Sequence, residues 1–599
     1  MKNNDNINNL FKSFRIPILV FIGIIVFLVL NFAGEKIISN ILIIFIIFLG
    51  SYRLFQETAI SILKKHFALD YIAILAIVIS VVTNEYFVAS IIALMIASGR
   101  TLEEYGVAQA KKSLTKLVDR IPNDIVLWEG GIANKKEKIG NIKIGQEIFI
   151  RKGEVIGLDG ILISETALTD ESSLTGEPYL MEKIKGDQIR SGTINIGDPI
   201  VIKVTKTQQN STYNKIINLV KSAQEEKAPL VRLADKYSTI FTLITAIIAV
   251  FAYFNSHSMQ YVLAVLVIAT PCPLILATPI ALLGGVSAAA KRRIIVKKLA
   301  SIEILSRANT FIFDKTGTIT LGKPKLTKYI SYSSDYTEKE ILGISEAIER
   351  NSLHPLAKAI VIFAKEKHGN VLMASNIKEV VGSGISGKIK GKTYTLAKEH
   401  SDEGMSIALS EGKNKLAVFK FEDEIKQESK TIIDKLKKLG ISIHIFTGDK
   451  IAAAQKVADV LGGEVTVQAE CTPKDKQEGI KELRKQGKIT VMVGDGINDA
   501  PALALSDVGI VFSNEEQTAA SEASDIVFLG NDFSLVLDSI NISKRTIHIA
   551  LQSIGWGIGL SIGGMIFASI GMIPPVFGAF FQETIDVAVI INALRASRY

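Results

Sequence analysis

The residues best suited to chemistry stand in the pentapeptide Asp314–Thr318 (Asp-Lys-Thr-Gly-Thr), which follows the apolar run Thr310–Phe313. A short buried strand with this ending would hold the carboxylate of Asp314 at the carboxyl edge of a parallel sheet, where open α/β sheets bind ligands. A carboxylate can act as a covalent nucleophile and form an aspartyl-phosphate, which divides phosphoryl transfer into two easier steps. Acidic residues and glycines also end strands in ordinary turns, so one pentapeptide leaves that simpler interpretation open.

Two further polar motifs follow apolar runs: Thr447–Asp449 after Ile441–Phe446, and Gly494–Asp499 (Gly-Asp-Gly-Ile-Asn-Asp) after Ile489–Val493. Turn preferences fix neither the identity nor the order of three such motifs. Together with the pentapeptide they resemble the phosphorylation core of the P-type ATPases. The resemblance implies a haloacid-dehalogenase-like α/β phosphorylation domain that uses ATP and Mg²⁺.

The resemblance also implies a role for each polar residue of this core. Asp314 is the expected nucleophile toward the γ-phosphate, and Lys476 would offset the charge of the transferred group, on which this chemistry mainly depends. Asp495 is expected to hold Mg²⁺, a hard ion that takes carboxylate and phosphate oxygens. The remaining catalytic or metal-site residues offer ammonium, hydroxyl, amide or carboxylate groups: Lys315, Thr316, Thr447, Asp449, Asn498 and Asp499.

The composition places much of the chain in a membrane. Hydrophobic residues make up 48% of the 599 residues, and the mean hydropathy is +0.31. Long apolar runs explain this excess, and with their flanks they approach the ~20 residues that a spanning helix needs. We count eight candidate spans: Ile16–Phe32, Ile37–Tyr52, Tyr71–Val82, Tyr86–Ser98, Ile240–Phe254, Tyr261–Val286, Ile549–Ile570 and Pro574–Leu594.

Basic residues give the spans an orientation. Clusters of lysine and arginine precede the first span, lie between the second and third, and follow the fourth, sixth and eighth. All fall on the cytoplasmic side if both termini are cytoplasmic. The net charge of +8 then reflects the positive-inside rule; nucleic-acid binding is disfavoured because no basic face is interleaved with aromatic residues. The expected protein is a multi-pass monomer of the plasma membrane with cytoplasmic catalytic domains.

A soluble segment from about Tyr105 to Lys227 begins as helix and continues as short alternating strands with glycine turns, among them Glu147–Ile150, Ile161–Ile163 and Pro199–Ile202. It contains Thr175–Pro178 (Thr-Gly-Glu-Pro), which by itself is only a polar turn. In its position it resembles the actuator-domain loop of the family. The glutamate of that loop, here Glu177, positions the water that hydrolyses the aspartyl-phosphate.

A separate α/β segment interrupts the phosphorylation core from about Lys328 to Phe421. It resembles the nucleotide-binding domain of the heavy-metal branch through Glu349, Ser352 and His354. The resemblance implies that the glutamate and the histidine meet the adenine. On sequence grounds alone, a lone histidine is more often structural or exposed than functional.

The glycines Gly382 and Gly384 belong to a stretch that ends in Lys388 and has the glycine and lysine spacing of a phosphate-binding P-loop. Ile389 stands where the Mg²⁺-binding hydroxyl of a P-loop belongs. The flanking residues favour two strands joined by a glycine turn. We therefore expect a turn that lets ATP approach the backbone.

The sixth span contains Ala269–Pro273 (Ala-Thr-Pro-Cys-Pro) and Pro279. Proline removes a helical hydrogen bond and clashes with the preceding turn, so three prolines predict an unwound stretch near mid-membrane. Transporters place substrate sites at such breaks. A proline kink with Cys272 as a small buried hydrophobe is the alternative. The heavy-metal branch carries Cys-Pro-Cys, Ser-Pro-Cys or Thr-Pro-Cys here, which implies that Cys272 binds the metal.

Glu583 and Asp586 lie three residues apart in the eighth span and share a helix face. Carboxylates inside a membrane mark ion pathways, although a polar pair near the surface is the alternative. One thiolate with two carboxylates suits Zn²⁺, Cd²⁺, Co²⁺, Ni²⁺ or Fe²⁺ better than Cu⁺, which prefers several sulfur ligands. By resemblance, Glu103 and Asp235 match ion-entry residues; both are equally explained as interfacial charges.

The expected fold is a multi-domain α-helical membrane protein with about eight transmembrane helices, a mostly β actuator domain, the α/β phosphorylation domain and the inserted α/β nucleotide-binding domain. Its first two spans resemble the extra pair of the heavy-metal branch, without that branch's amino-terminal metal-binding domain. The predicted order is transmembrane helices in 1–104, actuator in 105–228, transmembrane helices in 229–290, phosphorylation domain in 291–327 and 423–543, nucleotide-binding domain in 328–422, and transmembrane helices in 544–599.

The expected function is ATP-driven export of a divalent transition-metal cation through an aspartyl-phosphate. A Cu⁺ exporter is the first alternative. A P-type pump for K⁺ or lipid is disfavoured by the Thr-Pro-Cys and the extra leading spans. A phosphatase or sensor with the same phospho-aspartate fold is disfavoured by the Thr-Gly-Glu-Pro loop and the intramembrane ligands.

Overall fold

The computed structural model describes residues 14–63, 71–118, 122, 124–170, 180–211, 214, 229–269, 272–352, 354–368, 372–380, 384–401, 404–494, 499–513 and 523–598. The helices are α1 Arg15–Phe32, α2 Lys36–Leu63, α3 Tyr71–Val82, α4 Tyr86–Val118, α5 Pro229–Ser256, α6 Met259–Ile268, α7 Cys272–Lys291, α8 Leu299–Ser306, α9 Glu338–Glu349, α10 Pro355–His368, α11 Ser429–Lys438, α12 Ile451–Val460, α13 Pro473–Lys485, α14 Ala500–Leu505, α15 Ser534–Ser569 and α16 Pro575–Leu594.

The strands are β1 Asp124–Glu129, β2 Ile132–Lys138, β3 Glu147–Ile150, β4 Gly160–Leu162, β5 Thr166–Asp170, β6 Leu180–Ile184, β7 Gln188–Ile189, β8 Ile194–Asn195, β9 Ile200–Val204, β10 Ile294–Val296, β11 Thr310–Asp314, β12 Thr320–Ser331, β13 Ser375–Val380, β14 Gly384–Ile389, β15 Lys392–Ser401, β16 Gly404–Glu411, β17 Asn414–Ile425, β18 Ser442–Phe446, β19 Thr466–Gln468, β20 Thr490–Gly494, β21 Val508–Ser513 and β22 Ile526–Leu529.

The membrane part is built from apolar helices that keep large hydrophobic side chains on their outer faces. Phe21, Phe45 and Phe251 are more than half exposed, as expected of helices that face lipid. Five helices in the described ranges are long and apolar enough to cross a membrane: Arg15–Phe32, Lys36–Gln56, Tyr86–Ala110, Ser534–Ser569 and Pro575–Ser597. Three shorter apolar helices coincide with the third, fifth and first half of the sixth predicted span: Tyr71–Val82, Ile240–Ser256 and Met259–Ile268. The total of eight spans stays a prediction.

The predicted sixth span is divided between two helices. α6 ends at Ile268, where Ala269 leaves helical geometry, and α7 is described from Cys272 onward. Thr270 and Pro271 lie outside the described residues. Pro279 lies inside α7, which continues to Lys291. The unwinding expected at this third proline was therefore wrong. One proline removes one backbone hydrogen bond, and a helix packed among neighbours tolerates that loss.

Residues 124–204 form mostly antiparallel β structure, with a six-stranded sheet in the order β2-β1-β3-β9-β4-β7 and a three-stranded sheet in the order β6-β5-β8. Buried and partly exposed side chains alternate along β3, because one face of the sheet covers an aliphatic core. The strands predicted at Glu147–Ile150, Ile161–Ile163 and Pro199–Ile202 are close to β3, β4 and β9.

The phosphorylation motifs lie on a seven-stranded sheet in the order β10-β22-β21-β20-β11-β18-β19. Its strands run parallel except for the pairing of β10 with β22. Every residue of β11 and of β20 is buried, which is typical of a parallel sheet covered on both faces. Because β11 lies between β20 and β18, the three motifs that follow these strands share one edge of the sheet.

A third large sheet is antiparallel, in the order β12-β17-β16-β15-β14-β13. The long strands β12 and β17 pair from Thr320 and Ile425 to Ser331 and Ala417, and they join this sheet directly to the phosphorylation sheet. β13 and β14 form the hairpin predicted from the glycine-rich turn, with Val380 opposite Gly384. Since no helix follows these glycines, the P-loop alternative is excluded.

Candidate active site and membrane carboxylates

Two carboxylates and one ammonium group meet at the carboxyl edge of the parallel sheet. Nζ of Lys476 donates to Oδ1 of Asp314 at 2.6 Å and to Oδ1 of Asp499 at 2.7 Å. All three residues are buried, with exposures of 7%, 8% and 2% in that order. Three sequence-predicted residues from separate parts of the chain are thus brought into direct contact.

Helix α13 fixes the position of Lys476 through its first turn. Thr472 is the N-cap: its Oγ1 accepts from the backbone N–H of Asp475, whose Oδ2 accepts from the N–H of Thr472. Pro473 opens the helix without losing a needed donor. Lys476 follows one turn in, on the buried face. Burial alone would lower the pKa of Lys476, but Asp314 and Asp499 outweigh it and raise that pKa, so the lysine stays charged.

The turn after β11 brings the neighbouring predicted residues into the same region. Lys315 is buried and forms an ion pair with Asp449, the last residue of the Thr-Gly-Asp motif. Oγ1 of Thr447 accepts from the N–H of Asp449 at 3.1 Å and holds that motif in a tight turn. Thr316 is exposed at the rim, and Gly317 has φ +72°, a conformation that favours glycine.

The donor set fits a hard divalent cation such as Mg²⁺. Asp314 and Asp499 supply carboxylate oxygens, the ligands that Mg²⁺ prefers. Gly494 closes β20 so near to Asp499 that a β-carbon there would lie 2.6 Å from Oδ2, so only glycine admits this carboxylate. The predicted metal ligand Asp495 and the predicted amide Asn498 lie outside the described residues.

The predicted adenine residues gather between α9 and α10. Glu349 ends α9 and is buried, and Oγ of Ser352 donates to Oε1 of Glu379 at 2.6 Å. Burial, followed by the nearby charge of Glu379, raises the pKa of Glu349 to about 7. His354 is exposed, and its Nδ1 accepts from the N–H of Leu356 at 3.2 Å, capping the first turn of α10.

Gly384 has φ +133°, and a β-carbon at this position would lie 2.2 Å from the carbonyl oxygen of Leu396. Only glycine therefore fits opposite β15, whereas Gly382 lies outside the described residues. Lys398, two residues beyond Leu396, lines a cavity of about 660 Å³ between the antiparallel sheet and the phosphorylation sheet. Lys315 and Asp449 line its other wall, so the cavity reaches the phosphorylation edge.

The membrane carboxylates are held by hydroxyl and amide donors from three helices. Oγ of Ser98 in α4 donates to Oε1 of Glu583 at 3.0 Å. Oγ of Ser561 in α15 donates to Oε1 of Gln582 at 3.1 Å, and Nε2 of Gln582 donates to Oδ1 of Asp586 at 2.9 Å. Gln582 and Asp586 are fully buried. These contacts place the polar side chains between helices of the bundle, where an ion pathway would need them.

The third predicted ligand, Cys272, opens α7, and its side chain lies outside the described residues. α7 packs against α16 near the carboxylates, since Ala277 shares a hydrophobic cluster with Ile585 and Val589. Within the described part of the chain, no three His, Cys, Asp or Glu residues are arranged to hold a metal ion. The side chains of Glu103, Asp235 and the actuator residue Glu177 also lie outside it.

Several residues of these sites were not anticipated from the sequence. Glu379 follows an ordinary polar pattern in an exposed strand, and Lys398 is one lysine among many. Ser98 is one of several serines in α4, and no local pattern distinguishes it from Ser90 on the same helix. Only the three-dimensional neighbours of these residues, which sequence spacing does not report, reveal them.

Two segments match known protein families. Residues 119–221 match the P-type ATPase actuator domain, and residues 308–507 match the haloacid dehalogenase-like hydrolases. The chain is 30% identical over 603 residues to a probable cadmium-transporting ATPase of Staphylococcus aureus (strain MRSA252), covering 94% of this chain and 82% of that protein. It is 32% identical over 552 residues to a copper-exporting P-type ATPase of Staphylococcus saprophyticus, covering 87% and 68%.

A solved structure is similar over nearly the whole length. The crystal structure of a zinc-transporting PIB-type ATPase in the E2.Pi state superposes with a TM-score of 0.66 and 26% sequence identity, covering 98% of this chain and 100% of that one. The arrangement of membrane helices, actuator and haloacid-dehalogenase-like domains is therefore shared with that protein. The metals in the names of these relatives differ: cadmium, copper and zinc.

Proposed function

The chain belongs to the heavy-metal-transporting P-type ATPases, and we propose that within this family it exports a divalent transition-metal cation. The observation that carries this choice is the pair of membrane carboxylates, Glu583 and Asp586, held inside the helix bundle on α16, which packs against α7. Two carboxylates and one thiolate form a mixed oxygen and sulfur ligand set. Zn²⁺, Cd²⁺, Co²⁺, Ni²⁺ and Fe²⁺ accept such a set.

The chemical half of the cycle uses the edge of the parallel sheet. ATP would enter the cavity beside Lys398, with its adenine toward Glu349, Ser352 and His354 and its phosphates toward Lys315. A carboxylate oxygen of Asp314 attacks the γ-phosphorus, the bond to the bridging oxygen of ADP breaks, and the aspartyl-phosphate forms. Bound Mg²⁺ would be held by Asp314, Asp495 and Asp499, and it supplies charge neutralisation at the phosphate oxygens.

Lys476 has two functions in this step. Its ammonium group forms an ion pair with the nucleophilic carboxylate of Asp314, and it offsets charge on the phosphoryl group as that group arrives. The ion pair between Lys315 and Asp449 and the turn at Thr447 hold the facing loop in position. Glu177 then orients the water that hydrolyses the aspartyl-phosphate, acting as the general base.

The domain order predicted from the sequence is part of the proposal: four transmembrane helices, the actuator, two helices, the phosphorylation domain with its nucleotide-binding insert, and two final helices. We further propose that the protein acts as a monomer in the plasma membrane, with both termini and the catalytic domains in the cytoplasm. The basic clusters at the ends of the apolar segments support this orientation.

Metal-stimulated ATP hydrolysis by the purified protein tests the choice of ion. Zn²⁺, Cd²⁺, Co²⁺, Ni²⁺, Fe²⁺, Mn²⁺ and Cu⁺ are each titrated, and we expect one or more of the divalent ions to stimulate hydrolysis. Stimulation by Cu⁺ alone would favour a Cu⁺ exporter, the alternative that the similarity to a copper-exporting relative supports. If no ion stimulates hydrolysis and the protein still forms a phosphoenzyme, the pump has a different substrate.

A further inference from the structure

We propose that Ser98 is a positioning residue that links Glu583 to the movement of helix α4, an inference that rests on the proposed ion site. Oγ of Ser98 lies 3.0 Å from Oε1 of Glu583 and 3.0 Å from the carbonyl oxygen of Met95 in its own helix. A serine hydroxyl has one proton to donate. It can therefore donate to the carboxylate or to its own helix, and because Oγ is within reach of both acceptors, the two arrangements differ only in the direction of the O–H bond.

The contact leaves Glu583 half satisfied. Its second oxygen, Oε2, is buried and has no hydrogen-bond partner among the described residues. A buried carboxylate oxygen without a partner is costly, and a cation beside it removes that cost. Ser98 thus holds one oxygen and leaves the other for an ion.

Helix α4 connects this contact to the actuator domain. It is one continuous helix from Tyr86 to Val118, and β1 of the actuator sheet begins soon afterwards at Asp124. At the helical rise, Val118 lies about 30 Å beyond Ser98 along the axis. A displacement of the actuator domain that shifts α4 by part of a turn would separate Ser98 from Glu583. A conformational change alters ion affinity only through contacts that differ between the two states. The hydrogen bond from Ser98 to Glu583 would be such a contact.

The chain offers a matched control on the same helix. Ser90 is a second serine of α4. It is buried, and its hydroxyl donates to the carbonyl of Phe87 within the helix and has no second acceptor among the described residues. Ser90→Ala removes a buried hydroxyl without touching the carboxylates. Any effect of Ser98→Ala beyond that of Ser90→Ala then belongs to the contact with Glu583.

The test measures the metal concentration that gives half-maximal ATP hydrolysis, with the panel ion that activates the unmutated protein most. Ser98→Ala should raise this concentration by roughly ten-fold, the effect of a hydrogen bond to a charged group, and change the maximal rate little. Phosphorylation from inorganic phosphate, which needs no transported ion, should be unchanged and verifies folding. Ser98→Thr, which keeps the hydroxyl, should restore the parent value. If Ser98→Ala does not fold, Ser98→Val takes its place, because valine has the shape of the threonine variant without its hydroxyl.

Two outcomes separate failure of this inference from failure of the proposed function. If Glu583→Gln abolishes metal activation but Ser98→Ala behaves like Ser90→Ala, the ion site stands and the linkage through Ser98 is overturned. If Glu583→Gln and Asp586→Asn both keep normal metal activation, the ion site itself is wrong.

Discussion

Nζ of Lys476 lies 2.6 Å from Oδ1 of Asp314, so the proposed nucleophile and its cation are in direct contact although they stand 162 positions apart in the chain. The same ammonium group lies 2.7 Å from Oδ1 of Asp499. One buried cation therefore separates two buried carboxylates that would otherwise repel each other. This arrangement makes Lys476 part of the electrostatic balance of the site before any nucleotide arrives.

Replacement of this lysine tests that balance. Lys476→Met should slow formation of the phosphoenzyme from ATP by roughly 10²- to 10³-fold, the range for loss of one charge-stabilising donor. Labelling with γ-phosphate ATP followed by acid quench measures the rate. Lys474→Met is the matched control, because Lys474 lies on the exposed side of the same helix. A Lys476→Met protein that is phosphorylated at the parent rate would contradict the role of the ammonium group.

The identity of the nucleophile is tested separately. Asp314→Asn should abolish both the acid-stable phosphoenzyme and transport, because an amide cannot attack the γ-phosphorus. Nucleotide binding should persist, since the change preserves the shape of the side chain. Acid-stable labelling that survives in this variant would rule out Asp314.

The phosphorylation edge could be predicted from the sequence because its chemistry is local. Each motif follows its own apolar strand, and parallel neighbours bring the carboxyl ends of such strands to one edge. The pairing of Ser352 with Glu379 could not be predicted in this way. It depends on the placement of β13 against the end of α9, which is set by packing between segments distant in sequence.

The raised pKa of Glu349 predicts a pH dependence of stability. Its folded pKa of about 7 lies above the ordinary value of 4.5, so the folded state binds the proton more tightly than the unfolded state does. The stabilisation is fully present below pH 4.5 and is lost as the pH rises through 7. Glu349→Gln mimics the protonated form and should unfold at a higher temperature than the parent at pH 8, with little difference at pH 5.

Calorimetry of the detergent-solubilised protein at the two pH values measures this difference. Glu346→Gln is the control, because Glu346 is equally buried on the same helix but forms an ion pair with Arg350 at 2.9 Å. That variant should lose stability at both pH values. An equal shift for Glu349→Gln at pH 5 and pH 8 would argue against burial of an ionisable carboxyl as its cause.

The actuator loop predicts a separation of the two half-reactions. Glu177→Gln should still accept phosphate from ATP but should release it slowly, because the general base that guides the water is gone. A chase of labelled phosphoenzyme with unlabelled ATP measures the decay. Glu182→Gln, an exposed glutamate of the neighbouring strand β6, should decay at the parent rate. If Glu177→Gln also decays at that rate, the assignment of Thr175–Pro178 is wrong.

The membrane site was predicted less completely than the phosphorylation edge. Carboxylates in an apolar run are conspicuous in any sequence, so Glu583 and Asp586 were identified without the structure. The two serines of this hydrogen-bond network, Ser98 and Ser561, were not, because serines are common in apolar helices and most donate their hydroxyl to their own backbone. Ser98 and Ser561 differ from those serines only in what lies opposite them on α16.

The ion ligands give the final prediction. If Cys272, Glu583 and Asp586 form one site, loss of any one should remove metal activation while nucleotide binding in the distant cytoplasmic domains continues. Cys272→Ser should weaken the binding of soft ions most, since a hydroxyl replaces a thiolate. Asp586→Asn should weaken the binding of all divalent ions, since it removes a charge that offsets the loss of the ion's hydration. Metal-dependent phosphorylation measures both effects.

Thr584→Ala is the control for these variants, because Thr584 lies between the two carboxylates on α16 but is exposed and returns its hydroxyl to the carbonyl of Phe580. It should keep the metal dependence of the parent. The pump must connect occupancy of the site to phosphorylation of Asp314, and an ion shifts such an equilibrium only through different affinities for the two states. Normal metal-dependent phosphorylation in both Cys272→Ala and Asp586→Ala would therefore contradict the proposed ion site. The hydrogen bond from Gln582 to Asp586 would then contribute only to ordinary helix packing.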